Sequence, residues 1–188
     1  MSLDILIATH CMGRRTGSEV HARDLALGLL RRGHRCAIFA TRLREDVDVR
    51  SLRQAGVTVI DRLAELPWTP DVIHGHHRFE TLIACSRFTR TPALQVCHDA
   101  TQAADRAAPS AVVQLRCAVD TFCRERIARE SGEPEHAIRL LPNAVDLDVH
   151  REKDPPAATP PRRALFFHSS PPEELAILPR LTEACRDL

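Results

Sequence analysis

Leu3-Asp4-Ile5-Leu6-Ile7-Ala8, the loop that follows it from Thr9, and Thr16-Gly17-Ser18-Glu19-Val20-His21 at the head of a helical stretch are the segment on which the fold turns. The first six residues are a short, mostly apolar run that reads as a buried parallel strand. Beyond Ser18, the residues Val20, Leu25, Leu29 and Leu30 recur at helical spacing, and Gly33 marks the stop. Thr16, with Glu19 three residues on, fits a capping box. A strand, a glycine-bearing loop and a helix in that order bring backbone N–H groups and the positive end of a helix dipole to one place, which suits an anion. Gly17 permits close approach, Thr16 flanks it, and Arg14 and Arg15 add positive charge. Any turn between a strand and a helix tends to need glycine, so the loop alone leaves a structural role equally open. It is not G-x-G-x-x-G, and no acidic residue closes the second strand, which argues against a nicotinamide cofactor.

Working outward, strands are expected at Arg35–Ala40, Gly56–Ile60, Pro70–His74, Pro92–Cys97, Leu115–Val119 and His136–Leu141. Helices are expected around Val47 to Ala55, Phe79 to Phe88 and Thr121 to Glu130. The alternation predicts an α/β, Rossmann-like, doubly wound parallel sheet with helices on both faces. Three regions are expected: a domain over 1–150, a proline-rich linker over 151–162, and a short strand-helix remnant over 163–188. Within the remnant, Arg163 to Phe167 reads as a strand and Glu173 to Arg186 as a helix interrupted by Pro179.

The 188 residues carry a net charge of +1, so nothing points to nucleic acid or to an anionic surface. Of 26 basic residues only Lys153 is lysine. One Trp, six Phe and no Tyr leave little for stacking on bases. Seven cysteines without C-x-x-C spacing, several inside apolar runs, fit free thiols in a reducing compartment. No secretory signal or membrane-spanning run is evident, so a cytoplasmic location is expected.

The candidate chemistry lies at strand ends. His10 follows the first strand, His74 and His76 the fourth, His98 and Asp99 the fifth, and Asp120 the sixth. Parallel sheets place their sites at the carboxyl ends of strands, so all of these face one cleft. His98 would position or deprotonate a hydroxyl, or it is an ordinary strand-ending residue beside Asp99. A zinc site from His74, His76 and His98 is imaginable, but no ligand spacing matches a standard pattern, and the expectation is no metal. No nucleophile elbow, P-loop or paired catalytic carboxylate is present.

Taken in order, six motifs resemble the N-terminal half of a GT-B glycosyltransferase, most similar to family 4. Thr16-Gly17-Ser18-Glu19 resembles Gly-Gly-x-Glu, and Leu25 through His34 resembles a helix ending in Gly-His. Pro70 to His76 resembles Pro-Asp-hydrophobic-hydrophobic-His-x-His, and Cys97-His98-Asp99 a strand-closing His-Asp. Ala118-Val119-Asp120 and the helix after it, then Leu141-Pro142-Asn143-Ala144-Val145-Asp146, complete the set. Thr16, Asp120 and Ala144 depart from the family pattern. The paired glutamates of the family's donor domain are not spaced that way among Glu173, Glu174 and Glu183.

The resemblance implies the acceptor-side domain of a retaining glycosyltransferase that uses a nucleotide-sugar donor and no metal or other cofactor. It implies that Gly17, Thr16 and Arg14 face the donor diphosphate and that His98 lies at the reacting centre. His10, His74, His76, Asp99 and Asp120 would line the acceptor cleft. The expected partners are a carbohydrate, small-molecule or lipid acceptor and a C-terminal donor domain or complementary subunit, with no nucleic acid. Self-association through the tail is a further expectation. The chain by itself is expected to be a truncated, inactive half. The alternatives are a non-catalytic sugar- or nucleotide-binding module and, behind it, a GT-B-fold sugar-nucleotide epimerase.

Overall fold

The computed structural model describes residues 1–14, 16–109, 111–144, 147, 178–184 and 186. Seven strands form one sheet: β1 (Asp4–Met12), β2 (Arg35–Leu43), β3 (Thr58–Ile60), β4 (Val72–Gly75), β5 (Ala93–Cys97), β6 (Leu115–Ala118) and β7 (Arg139–Leu140). Their order is β3-β2-β1-β4-β5-β6-β7, and every pair is parallel. The order reverses between β1 and β4, so the crevice beyond their carboxyl ends is the switch point at which such sheets hold ligands. Four helices connect the strands: α1 (Gly17–Arg31), α2 (Val47–Gln54), α3 (Arg78–Arg87) and α4 (Thr121–Ser131).

Alternation along β1 divides the core. Ile5 and Ile7 pack with Ala22 and Ala26 of α1 and with Val49 and Leu52 of α2. Leu6 and Ala8 point to the other face, toward Ala84, Cys85 and Phe88. A third cluster sets Cys97 and Ala118 against Cys123 and Ile127 of α4. β1 thus has both faces buried, as expected of a central parallel strand.

Three local expectations need correction. The strand expected at His136–Leu141 is only Arg139–Leu140, because His136 and Ala137 lie in a 3-10 turn, Glu135–Ala137. The polar loop expected from Thr9 is strand as far as Met12, because β2 continues to Leu43 and Cys11 and Met12 pair with Arg42 and Leu43. The capping box is not formed. Thr16 is the N-cap residue of α1 but makes no side-chain cap bond. Glu19 instead turns its carboxylate to the loop and accepts the Arg14 N–H at 2.6 Å.

The chain divides into two units, Met1–Asp146 and Leu147–Leu188. Within the second, α5 (Leu178–Ala184) carries Pro179 as its second residue. The proline-rich stretch and the strand expected from Arg163 to Phe167 lie outside the described residues, as does Cys185. Among the described residues, five cysteines are buried and Cys11 is half-buried, all as free thiols. No described helix is long and apolar enough to cross a membrane.

Candidate functional site

At the head of α1, Gly17 is exposed, and a Cβ added there would meet nothing within 4 Å. Neither the fold nor the backbone conformation therefore requires glycine at this position. Arg14 and Thr16 are exposed beside it. Within this loop, the glycine the fold does require is Gly13. Its φ is 103°, and a Cβ would stand 2.2 Å from the carbonyl oxygen of Arg44, next to where β2 ends.

At the switch point, His10 from β1 and His77, just beyond β4, enter one polar network. Thr41 of β2 donates to the Glu80 carboxylate at 2.6 Å, and His10 Nδ1 stands 2.9 Å from the same oxygen. Burial alone would push the Glu80 carboxyl up, but the hydrogen bonds from Thr41 and His10 outweigh it and hold the group below its ordinary value. The His10 backbone N–H donates to His77 Nδ1 at 3.0 Å, which leaves the His77 ring proton on Nε2. Gly75 makes this packing possible. A Cβ there would lie 1.9 Å from Thr81 Oγ1, so α3 can start against the end of β4 only over a glycine.

Beside this network lies a cluster of imidazoles. His76 is fully buried, and His98 stacks on it with ring centroids 4.8 Å apart and planes at 9°. His74 lies 5.0 Å from His76 on the same measure. His21 of α1 approaches both His76 and His98, at 5.4 and 5.2 Å. Burial, helped by the neighbouring rings, lowers the His74 pKa to about 3, that of His76 well below normal, and that of His98 to about 4. Burial lowers His21 as well. The cluster is therefore neutral at physiological pH. Both ring nitrogens of His76, and Nε2 of His74 and of His98, are buried and have no hydrogen-bond partner. Buried polar atoms are nearly always paired, so four orphan nitrogens at a switch point mark a place that receives something.

His98 is held through its backbone by Asp105. The His98 N–H donates to the Asp105 carboxylate at 2.8 Å. Burial raises the Asp105 pKa to about 6. Asp99 has local work: its Oδ1 accepts from the Thr101 N–H and hydroxyl at 2.6 Å each and from the Gln102 N–H at 3.1 Å. Asp120 is the N-cap of α4 and accepts the Cys123 N–H at 2.7 Å. Both sit at the carboxyl end of the sheet with their carboxylates committed to the backbone.

Beyond the expected site residues, the fold brings His21, His77, Glu80, Thr41 and Asp105 to this end of the sheet. His21 sits in the quoted Thr16–His21 segment, one turn into α1, and His77 directly follows His76. Those neighbourhoods were the available signal. Thr41, Glu80 and Asp105 reach the site through tertiary packing and carry no comparable mark.

The sequence profile described as Glycosyltransferase Family 4 matches residues 15–149. A crystal structure of HepE from Anabaena, in complex with UDP and glucose, is similar in fold, with a TM-score of 0.54 at 16% identity. The likeness covers 78% of this chain and 46% of HepE, so the chain spans about half the length of that protein. No curated protein matches the chain.

Proposed function

The chain belongs to glycosyltransferase family 4, and from that premise we propose that it forms the acceptor-side half of a retaining transferase acting on a nucleotide sugar. The observation that carries this reading is the neutral, unsatisfied histidine cluster at the β1/β4 switch point, on the sheet end where α1 begins. In the transfer, the bond from the anomeric carbon to the diphosphate breaks. A bond to the acceptor oxygen forms on the same face of the sugar, and the acceptor proton leaves with the diphosphate. Gly17 and the N–H groups of the first turn of α1 would face that departing diphosphate. With a pKa of about 4, His98 is a poor base at neutral pH. Its role is to hydrogen-bond the reacting sugar or the acceptor hydroxyl through Nε2. The reading assigns no metal to the transfer step. A donor-binding partner domain is part of the proposal, since both substrates must be held in one cleft.

UDP-sugars are the first donors to try, because the HepE structure contains UDP and glucose. The test joins this chain to a family 4 donor domain and follows product by NMR. Retained anomeric configuration, with turnover lost in His98→Ala, is expected. Inverted product, or transfer indifferent to His98, would sink the proposal. The 188 residues alone should show no turnover.

A further inference from the structure

We propose that His10 and His77 form a subsite that reads hydroxyls of the acceptor, with Thr41 and Glu80 as the residues that position it. His77 is the N-cap residue of α3, and His10 lies on β1. Their rings stand edge to face, with centroids 6.1 Å apart and planes at 70°. Each ring is anchored through Nδ1. His77 Nδ1 accepts the His10 N–H, so its own proton is on Nε2. His10 Nδ1 stands 2.9 Å from Glu80 Oε1, and an ionised carboxylate can only accept. The uncharged His10 ring therefore carries its proton on Nδ1 and a lone pair on Nε2. One Nε2 donates and the other accepts, which is the pairing that a hydroxyl offers in return.

Both Nε2 atoms are open. Neither has a hydrogen-bond partner among the described residues, and neither belongs to the buried, unpartnered set that includes His74, His76 and His98. The His10 side chain is 39% exposed, whereas that of Glu80 behind it is 2% exposed. A buried carboxylate is costly unless it is paired. Thr41 donates to the same oxygen at 2.6 Å, so Glu80 is held from a second side and turned toward the His10 ring instead of a ligand. The donor–acceptor pair also selects. An anion calls for two donors and a metal cation for two lone pairs, whereas a hydroxyl takes one of each. A polyol, with hydroxyls on neighbouring carbons, is the ligand class that engages both rings at once. This subsite rests on the acceptor-side reading for its place in the reaction, and it leaves His98 Nε2 to the reacting centre.

The test uses the whole chain, with glucose as the probe because the HepE complex contains that sugar. At pH 8, where an ordinary imidazole is uncharged, ¹⁵N NMR should show His10 as the Nδ1–H tautomer and His77 as the Nε2–H tautomer. Glucose should shift both ring signals saturably, and a fully O-methylated glucoside, which has no hydroxyl, should not. His10→Ala should weaken glucose binding by about 2–10-fold, the scale of one hydrogen bond. Glu80→Met, in protein whose circular dichroism matches the parent, should move the His10 proton to Nε2 and weaken binding to match. A lower melting temperature with the tautomer unchanged would overturn the positioning role of Glu80. Should Glu80→Met not fold, the parental tautomer and His10→Ala decide. His136→Ala, on an exposed turn, should change neither tautomer nor affinity. The opposite tautomer in the parent, no saturable shift with glucose, equal shifts with the methylated sugar, or unchanged affinity in folded His10→Ala overturns the proposal. Saturable binding by a chain that transfers nothing when joined to a donor domain would keep the subsite and remove the transfer reading, so the two fail separately.

Discussion

Gly75 is a glycine that the packing requires, and Gly17 is one that it does not. Gly17→Val should leave the melting temperature near its original value, because a Cβ meets nothing within 4 Å. In an enzyme completed with its donor domain it should still cost transfer, up to the roughly 2.7–4 kcal/mol of losing one aimed donor at a charge-stabilising site. Kinetics that match the parent would leave Gly17 as a turn residue. Gly75→Ala should do the reverse and destabilise the fold by about 1–3 kcal/mol, as overpacking does. The strain is with Thr81, whose Oγ1 and Cγ2 would lie 1.9 and 2.7 Å from the new atom. Adding Thr81→Ala should therefore recover part of the loss in a double-mutant cycle, and strictly additive effects would refute this account. The histidine cluster was legible at this scale: His74 lies near the end of strand β4, His76 and His98 come just after β4 and β5, and such positions face the cleft of a parallel sheet. Thr41 and Glu80 were not legible. Their pairing spans 39 residues and exists only because α3 packs over Gly75.

Elements were legible in number and order, because parallel strands buried on both faces leave apolar runs that stand out from the charged helices. Their ends were not. β1 runs to Met12 because β2 offers partners that far, a matter of pairing that local composition does not record. The missing capping box has a similar cause, since the Glu19 carboxylate has a competing donor in the Arg14 N–H. The element with most at stake is β6. Its Arg116 is buried, donates to the Ala108 carbonyl at 2.5 Å and is paired with Glu133, just beyond α4. Removing the partner strands a buried cation. Glu133→Ala should destabilise the protein by about 3 kcal/mol, the low end for a buried pair because Glu133 itself touches water. A denaturant midpoint shifted by only a few tenths of a molar would contradict this.

The molecule as a whole should be acid-sensitive. His74 and His98 have pKa values of about 3 and 4 in the fold, against 6.5 ordinarily. Below pH 6.5 the unfolded chain takes up protons that the folded chain refuses. Stability should therefore fall as pH drops from 6.5 toward 4, by up to about 1.4 kcal/mol per pH unit for each such histidine. Asp105 opposes this: its pKa rises from 3.8 to about 6 on folding, so its contribution grows as pH falls through that window. Urea midpoints at pH 7 and pH 4.5 should differ clearly, and Asp105→Asn should steepen the loss. A flat profile would mean the cluster is not neutral. The position of β1 has a consequence for synthesis. It pairs on one side with β2, where Asp4 meets Arg35, and on the other with β4, where Ile5 meets Val72. On a ribosome adding about 5–20 residues per second, the roughly thirty residues from Leu43 to Val72 take seconds to make. During that interval the nascent β1 carries an open edge that a neighbouring chain can claim. The histidine cleft does not yet exist then, because the strand that closes the edge is the one that delivers His74 and His76.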